Sequence, residues 1–264
     1  IPEYMGNMLC GMCAVYPDPR LRKDPRHWFE LIEKHGVTFW HTVPAMLTML
    51  VDYCRGLSEE KVKSVLASLR VVCLGGDWTP LETARTLFRL APGAKIVTVG
   101  GPTEITIWNV THTVTRVEDC WNSLPYGTPI ANCGCRVVDA AGNIRPRGVV
   151  GEMCCTGPFM SPGYSNDDRL TQQLFPTCGK NGERLFKTGD MVRMHADGVL
   201  EFVGRKDNRV KIGGYRIELS EVEHHLQTFP AVEEAVVLAR PGPAGSPVMV
   251  AWVRAREGKD ICLK

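Results

Sequence analysis

Two runs of this chain, RVVCLGG (70–76) and AKIVTVGG (94–101), are apolar, rich in β-branched residues and closed by a glycine pair, and TPLETARTLFRLAPG lies between them. The spacer reads as a helix, with Thr79 as its cap and Pro80 at its first position. Upstream, Asp24-Pro25 opens another helix. Trp28, Leu31 and Ile32 recur there at helical spacing, and Gly36 stops it. VTFWHTV (37–43) reads as a buried strand, and PAMLTMLVDYC as a second helix with proline in its first turn. Strand and helix in alternation predict a parallel α/β sheet. Such sheets take ligands beyond the carboxyl ends of their strands. A glycine pair at that end lets backbone N–H groups come close to a ligand, although a tight turn is the plainer reading of either pair alone.

Beyond residue 110 the texture changes. WNVTHTVT, CRVVDAAGNIRPRG, GEMCCTG and RLFKTGDMVRMHADGVLEFVGR are short strands punctuated by turn signals such as AAGN, RPRG and HADG. From Asp207 onward the expected order is two strands (RVKIGG, YRIEL), a helix and two more strands. Ser220 is the expected cap of that helix, and Glu223 completes a capping box. The expected organisation is therefore residues 1–206, with 1–110 α/β and 111–206 β-rich, followed by a small α+β unit over 207–264.

Segment 204–218, GRKDNRVKIGGYRIE, carries Arg205, Lys206, Arg209, Lys211 and Arg216 around a glycine pair. A net charge of +2, with acids and bases interleaved, gives no basic stripe for nucleic acid. A solvated face is the simplest reading of those cations. The eleven cysteines include Cys73, Cys154 and Cys155 inside apolar runs, where a thiol behaves as a small hydrophobe. Cys10 and Cys13 form one CxxC, and Cys133 and Cys135 one CxC; nothing in the sequence joins the two pairs into a zinc site. No stretch approaches 18 apolar residues and no secretory signal opens the chain, so reduced thiols, a cytoplasmic location and no membrane partner are expected.

GGPTE (100–104), GEMCCTGPFMSPGYSN (151–166), FKTGD (186–190) and GRKDNRVKIGGYRIELSEVE then follow one another in a fixed order. In those blocks the chain resembles the adenylation domains of nonribosomal peptide synthetases, within the acyl-adenylate-forming superfamily of acyl-CoA synthetases and luciferases. The resemblance covers nearly the whole chain. It implies ATP-dependent activation of an amino acid as an aminoacyl-adenylate, then transfer to the phosphopantetheine thiol of a carrier domain. It implies Glu104 as the Mg2+ ligand, a hard oxygen donor suited to that ion, and Thr103 as a hydroxyl contacting phosphate. Asp190 would grip both ribose hydroxyls, Arg205 would make a second nucleotide contact, and Gly76, Gly100, Gly101 and Phe202 would lie along the nucleotide. The amino-acid pocket would be lined by His41, Cys73, Gly75, Val99, Ile107 and Trp108. The alternative reading of His41 and Trp108 is as satisfied core residues. Asp207 would be the hinge of a C-terminal lid. Lys211 and the Gly213-Gly214 loop would swing in to line the pantetheine channel, while Lys206 and Arg209 read as surface charges.

One departure stands out. The family's usual tyrosine, which stacks on adenine, is replaced here by Gly100, so the lost stacking area is expected from Phe202. GGPTE followed by ITIW (105–108) resembles a branch that activates cysteine or serine beside heterocyclisation domains, and a Cys- or Ser-like substrate is favoured. Neighbouring synthetase domains, and a small accessory protein, are the further expected partners. The family's phosphate loop, its FDxS-like aspartate for the substrate ammonium and its C-terminal lysine are absent from residues 1–264. The chain alone is therefore expected to form no adenylate, as a trimmed or an interrupted adenylation domain. The alternatives are an acyl- or aryl-CoA ligase and a non-catalytic nucleotide-binding module.

Overall fold

The computed structural model describes residues 6, 9–76, 79–178, 182–206, 209–212, 215–242, 247–259 and 261. The first layer is a five-stranded sheet, in spatial order β1 (Phe39–Thr42), β2 (Val71–Gly75), β3 (Lys95–Gly100), β4 (Val110–Val114) and β5 (Thr128–Pro129). Strands β1 to β3 run parallel; β4 pairs antiparallel with β3, and β5 antiparallel with β4. Residues 111–129, expected in the β-rich part, thus extend the first sheet. The tight turns around Glu104 leave too few residues for a crossover helix, so the chain doubles back beside β3.

Helices α1 (Pro25–His35), α2 (Pro44–Arg55), α3 (Glu59–Leu66) and α4 (Leu81–Leu90) cover this sheet. Each buries a stripe at helical spacing, for example Leu47, Leu50, Val51 and Cys54 of α2, against Val72, Leu74 and Ile96 of the strands. The α1 boundaries follow their local chemistry: Asp24 Oδ1 accepts from Arg26 N–H at 2.9 Å, and Gly36 closes the helix in the left-handed conformation (φ 57°). Asp24→Ala should lower unfolding stability by about 1 kcal/mol, measured by chemical denaturation. An unchanged midpoint would show the cap to be idle. Helix α4 differs from expectation. It begins at Leu81 with Pro80 as its flanking residue and no side-chain cap, while Thr79 is buried.

The second sheet is wholly antiparallel, in spatial order β11 (Leu200–Arg205), β10 (Phe186–Met194), β7 (Val150–Thr156) and β6 (Gly134–Val138). Its inward residues Met153, Cys155, Phe186, Val192 and Leu200 form a second core with Ile105 and Val110, joined by Phe175 just after α5 (Asp168–Leu174). A two-residue ladder, β8 (Thr177–Cys178) with β9 (Glu183–Arg184), follows α5. The two sheets meet where Tyr126 and Gly127 N–H groups both reach the Leu200 carbonyl, at 2.9 and 3.2 Å.

The remaining described chain forms the hairpin β12 (Arg209–Ile212) with β13 (Tyr215–Glu218), helix α6 (Leu219–Gln227), and the hairpin β14 (Val232–Pro241) with β15 (Pro247–Ala255). Ser220 lies inside α6 rather than before it. Glu218 precedes the helix without a side-chain cap. Glu223, expected in a capping box, instead accepts from Val237 N–H at 2.8 Å and ties α6 to β14. That tertiary bond displaces the local one.

Candidate functional site

Register aligns the ends of the parallel strands: His41 of β1 stands beside Cys73 of β2, and Gly75 of β2 beside Val99 of β3. A cavity of about 1830 Å3 opens from these ends toward the second sheet. Of the residues singled out from sequence, His41, Gly75, Gly76, Val99, Gly100, Gly101, Glu104, Ile107, Trp108, Asp190, Phe202 and Arg205 all lie on its wall. Cys73 is buried without reaching the wall, and Thr103 is exposed and not part of it. Lys211 sits in β12, but its side chain lies outside the described residues, as do Asp207, Gly213 and Gly214 altogether.

Glu104 is carried on a single 3-10 turn, Thr103–Ile105, directly after β3. The next residue, Thr106, adopts φ 74° and ψ −68°, a region that β-branched side chains seldom enter. Ile107 N–H donates to the Ile105 carbonyl at 3.0 Å, and Thr106 Oγ1 donates to the Phe159 carbonyl at 2.8 Å; together they hold the strained turn. The turn returns the chain so that Trp108 joins Glu104 on the cavity wall. Trp108 stands edge-on to His41, with ring centroids 5.4 Å apart and planes at 89°. Val99 lies under Gly75, where an added Cβ would sit 2.9 Å from the valine methyl, so only glycine leaves that floor open.

The Glu104 carboxylate is held at one oxygen only. The Tyr164 hydroxyl donates to Oε1 at 2.5 Å, while Oε2 is buried and meets no donor among the described residues. A buried carboxylate oxygen without a partner is costly. A hard cation would supply the missing interaction, and this donor type would suit Mg2+.

Asp190 owes its position to an irregular strand. Pairing of β10 shifts register between Lys187 and Met191 on one side and between Met191 and Val192 on the other, and Gly189 takes a positive φ of 73°. Such bulges re-aim side chains. Thr188 Oγ1 accepts from Asp190 N–H at 3.0 Å and donates to the Met153 carbonyl at 2.8 Å, which fixes the bulge. Asp190 itself is only 6% exposed. Arg205 Nη1 donates to its Oδ1 at 2.6 Å and to the Thr188 carbonyl at 2.8 Å. The Tyr126 hydroxyl donates to Oδ2 at 3.2 Å. Each carboxylate oxygen keeps a further lone pair for a donor arriving from the cavity. Burial, and then the carboxylate beside it, hold the Tyr126 phenol well above its ordinary pKa, so it remains a donor.

Two expectations change here. Gly100 leaves room for Tyr126 rather than for Phe202 alone: an added Cβ would lie 1.9 Å from Tyr126 Cε2, and the Tyr126 ring meets Phe202 edge-on at 5.7 Å. Lys206, read as a surface charge, does lie at the surface, with its side chain 55% exposed, but its ammonium pairs with the buried Glu152 at 2.9 Å, and its backbone N–H donates to the Gly189 carbonyl at 2.8 Å. A buried carboxylate needs a cation, which the sequence spacing does not reveal. Tyr126, Glu152 and Tyr164 escape sequence reasoning because their role depends on sheet packing; the one available signal is Gly100 itself, an empty place that another ring can fill.

The model of the family described as "AMP-binding enzyme" matches residues 1–165. The chain is 41% identical over 244 residues to phenyloxazoline synthase MbtB of Mycolicibacterium paratuberculosis, a match covering 92% of this chain and 20% of that protein. It thus spans about a fifth of that curated relative. Among solved structures, it resembles the nonribosomal peptide synthetase FmoA3 in its alpha-methyl-L-serine-AMP-bound form, at 38% identity and TM-score 0.71, covering 78% of this chain and 23% of that one. It also resembles holo-PA1221, a nonribosomal peptide synthetase protein containing adenylation and PCP domains, at 26% identity and TM-score 0.76, covering 89% of this chain and 40% of that one. The α/β sheet joined to β-rich parts is the adenylate-forming enzyme fold, and the chain belongs to the AMP-binding enzymes, on the nonribosomal peptide synthetase side of that family.

Proposed function

We propose that the protein carrying this chain activates an amino acid with ATP and delivers it to a carrier domain in nonribosomal peptide synthesis. The observation that carries the reading is the convergence of Glu104 and Asp190, from different sheets, on one cavity at the ends of the parallel strands. Asp190, braced by Arg205, accepts the ribose hydroxyls. Glu104 offers its unmet oxygen to Mg2+, which would neutralise charge on the phosphates. The substrate carboxylate attacks the α-phosphorus, pyrophosphate leaves, and the acyl-adenylate remains. The phosphopantetheine thiol of the carrier then attacks the acyl carbonyl and AMP departs. Much of the catalysis is positioning.

The side-chain pocket is formed by His41, Gly75, Val99, Ile107 and Trp108, and its partly polar character suits a small amino acid of the serine or cysteine type. The alpha-methyl-L-serine-AMP bound by FmoA3 supports that class. The carrier partner is supported by the PCP domain of PA1221. Residues 1–206 would form part of the large adenylation unit. Residues 207–264 would begin the lid, hinged at Asp207, with Lys211 and the Gly213-Gly214 loop reaching the pantetheine arm. Among the described residues no helix is long and apolar enough to cross a membrane; a cytoplasmic location is part of the proposal.

The test is ATP–pyrophosphate exchange with the full-length protein across the amino acids, beginning with cysteine, serine and glycine. Exchange dependent on one small amino acid is expected. Exchange with aryl or fatty acids, and thioester formation on free coenzyme A, would replace the reading by a CoA ligase. Nucleotide binding without any exchange would leave a binding module.

A further inference from the structure

Tyr126 belongs to none of the blocks GGPTE, FKTGD or GRKD, yet it touches Gly100 of the first, Asp190 of the second and Phe202, just before the third. Its ring crosses directly over Gly100, where an added Cβ would approach Cε2, Cζ and Cδ2 at 1.9, 2.7 and 2.8 Å. All three are atoms of the ring itself, and the ring is held from two sides. Tyr126 N–H is bonded to the Leu200 carbonyl, and Phe202 of the same strand packs against the ring edge. On the far side of the ring, the hydroxyl donates to Asp190 Oδ2 while Arg205 holds Oδ1. A carboxylate gripped at one oxygen can still rotate about its last torsion, which is broad. Gripped at both, it cannot. The ring also lines the cavity beside Gly100 and Asp190.

The geometry points to Tyr126 as a positioning residue for the Asp190 carboxylate, with Gly100 as its steric counterpart. Gly100 is glycine because the ring that braces Asp190 arrives from the β4–β5 connection. The inference rests on the reading of Asp190 as the ribose-binding carboxylate. It makes Tyr126 a determinant of nucleotide recognition that acts through another side chain.

Tyr126→Phe keeps the ring and removes the donor. A hydrogen bond to a charged group is worth about tenfold or more when fully lost. Since Arg205 remains, KM for ATP should rise about fivefold, with kcat and KM for the amino acid unchanged. The preference for ATP over 2′-deoxy-ATP should shrink by a similar factor, because a loosely held carboxylate discriminates the ribose less well; a role in folding alone would not move that ratio. Gly100→Ala pushes the ring aside and should raise KM for ATP in the same way. The double variant Gly100→Ala, Tyr126→Phe should be no worse than about twofold beyond the weaker single. If Gly100→Ala is too unstable to assay, the two nucleotide ratios of Tyr126→Phe decide alone. An unchanged KM for ATP and an unchanged deoxynucleotide ratio in Tyr126→Phe overturn the inference. Absence of exchange in the wild-type protein would instead overturn the proposed function, so the two failures are distinct.

Discussion

Glu104→Gln should cut amino-acid-dependent pyrophosphate exchange by about 10²–10³-fold, the loss typical when one preorganised group that meets developing charge is removed. Stability should move the other way or not at all. In the folded protein Glu104 Oε2 is buried and meets no donor among the described residues, so the charge there costs free energy. A neutral amide of the same shape lowers that cost and still accepts from the Tyr164 hydroxyl through its carbonyl oxygen. Activity and stability are thus set against each other at one atom, as at many functional sites. Glu104→Asp tests the geometry separately. Its shorter arm withdraws the carboxylate from Tyr164 while keeping the charge, so it should be both slower and less stable than wild type. Thermal melts and exchange rates over a magnesium titration measure both effects. Retention of exchange within about threefold in Glu104→Gln would falsify the assignment, since the cost of removing such a group is far larger.

The sequence made the parallel sheet and the two acidic anchors legible for different reasons. β2 and β3 are apolar runs with a helix between them, so period and punctuation fix their type. Glu104 and Asp190 are legible only through the blocks that contain them; nothing in either local stretch says that a 3-10 turn and a bulge will aim them at one cavity. What the local pattern misses is made by long-range packing. Ser220 and Glu223 have the spacing of a capping box, yet Val237 of β14 claims Glu223. Lys206 has the spacing of a surface charge, yet Glu152 of β7 claims it. Tyr126 sits in a plain Pro-Tyr-Gly stretch, and only the approach of β3 to the β4–β5 connection shows that it occupies the space Gly100 leaves. In each case a tertiary partner outweighs a local preference of about 1 kcal/mol.

Asp190→Ala should destabilise the protein by about 3–5 kcal/mol, the usual cost of breaking a buried ion pair from one side. The aspartate side chain is 9% exposed and that of Arg205 17%, so neither charge is well solvated. Removing the carboxylate takes from the guanidinium the charged acceptor at 2.6 Å, and takes from the Tyr126 hydroxyl its acceptor on Oδ2. Asp190→Asn retains an acceptor oxygen and should cost less, about 1–3 kcal/mol. The informative variant is the double Asp190→Ala, Arg205→Met. Methionine fills the space without a charge, so the double should be more stable than Asp190→Ala alone, although it carries one more substitution. Nucleotide-dependent activity should not return with it, because the carboxylate proposed to meet the ribose is still missing. Urea denaturation read beside KM for ATP therefore separates the two roles of one side chain. A double variant whose loss equals the sum of the singles would show that Asp190 and Arg205 are not coupled. A double variant that recovered activity with stability would show that Asp190 serves the fold alone.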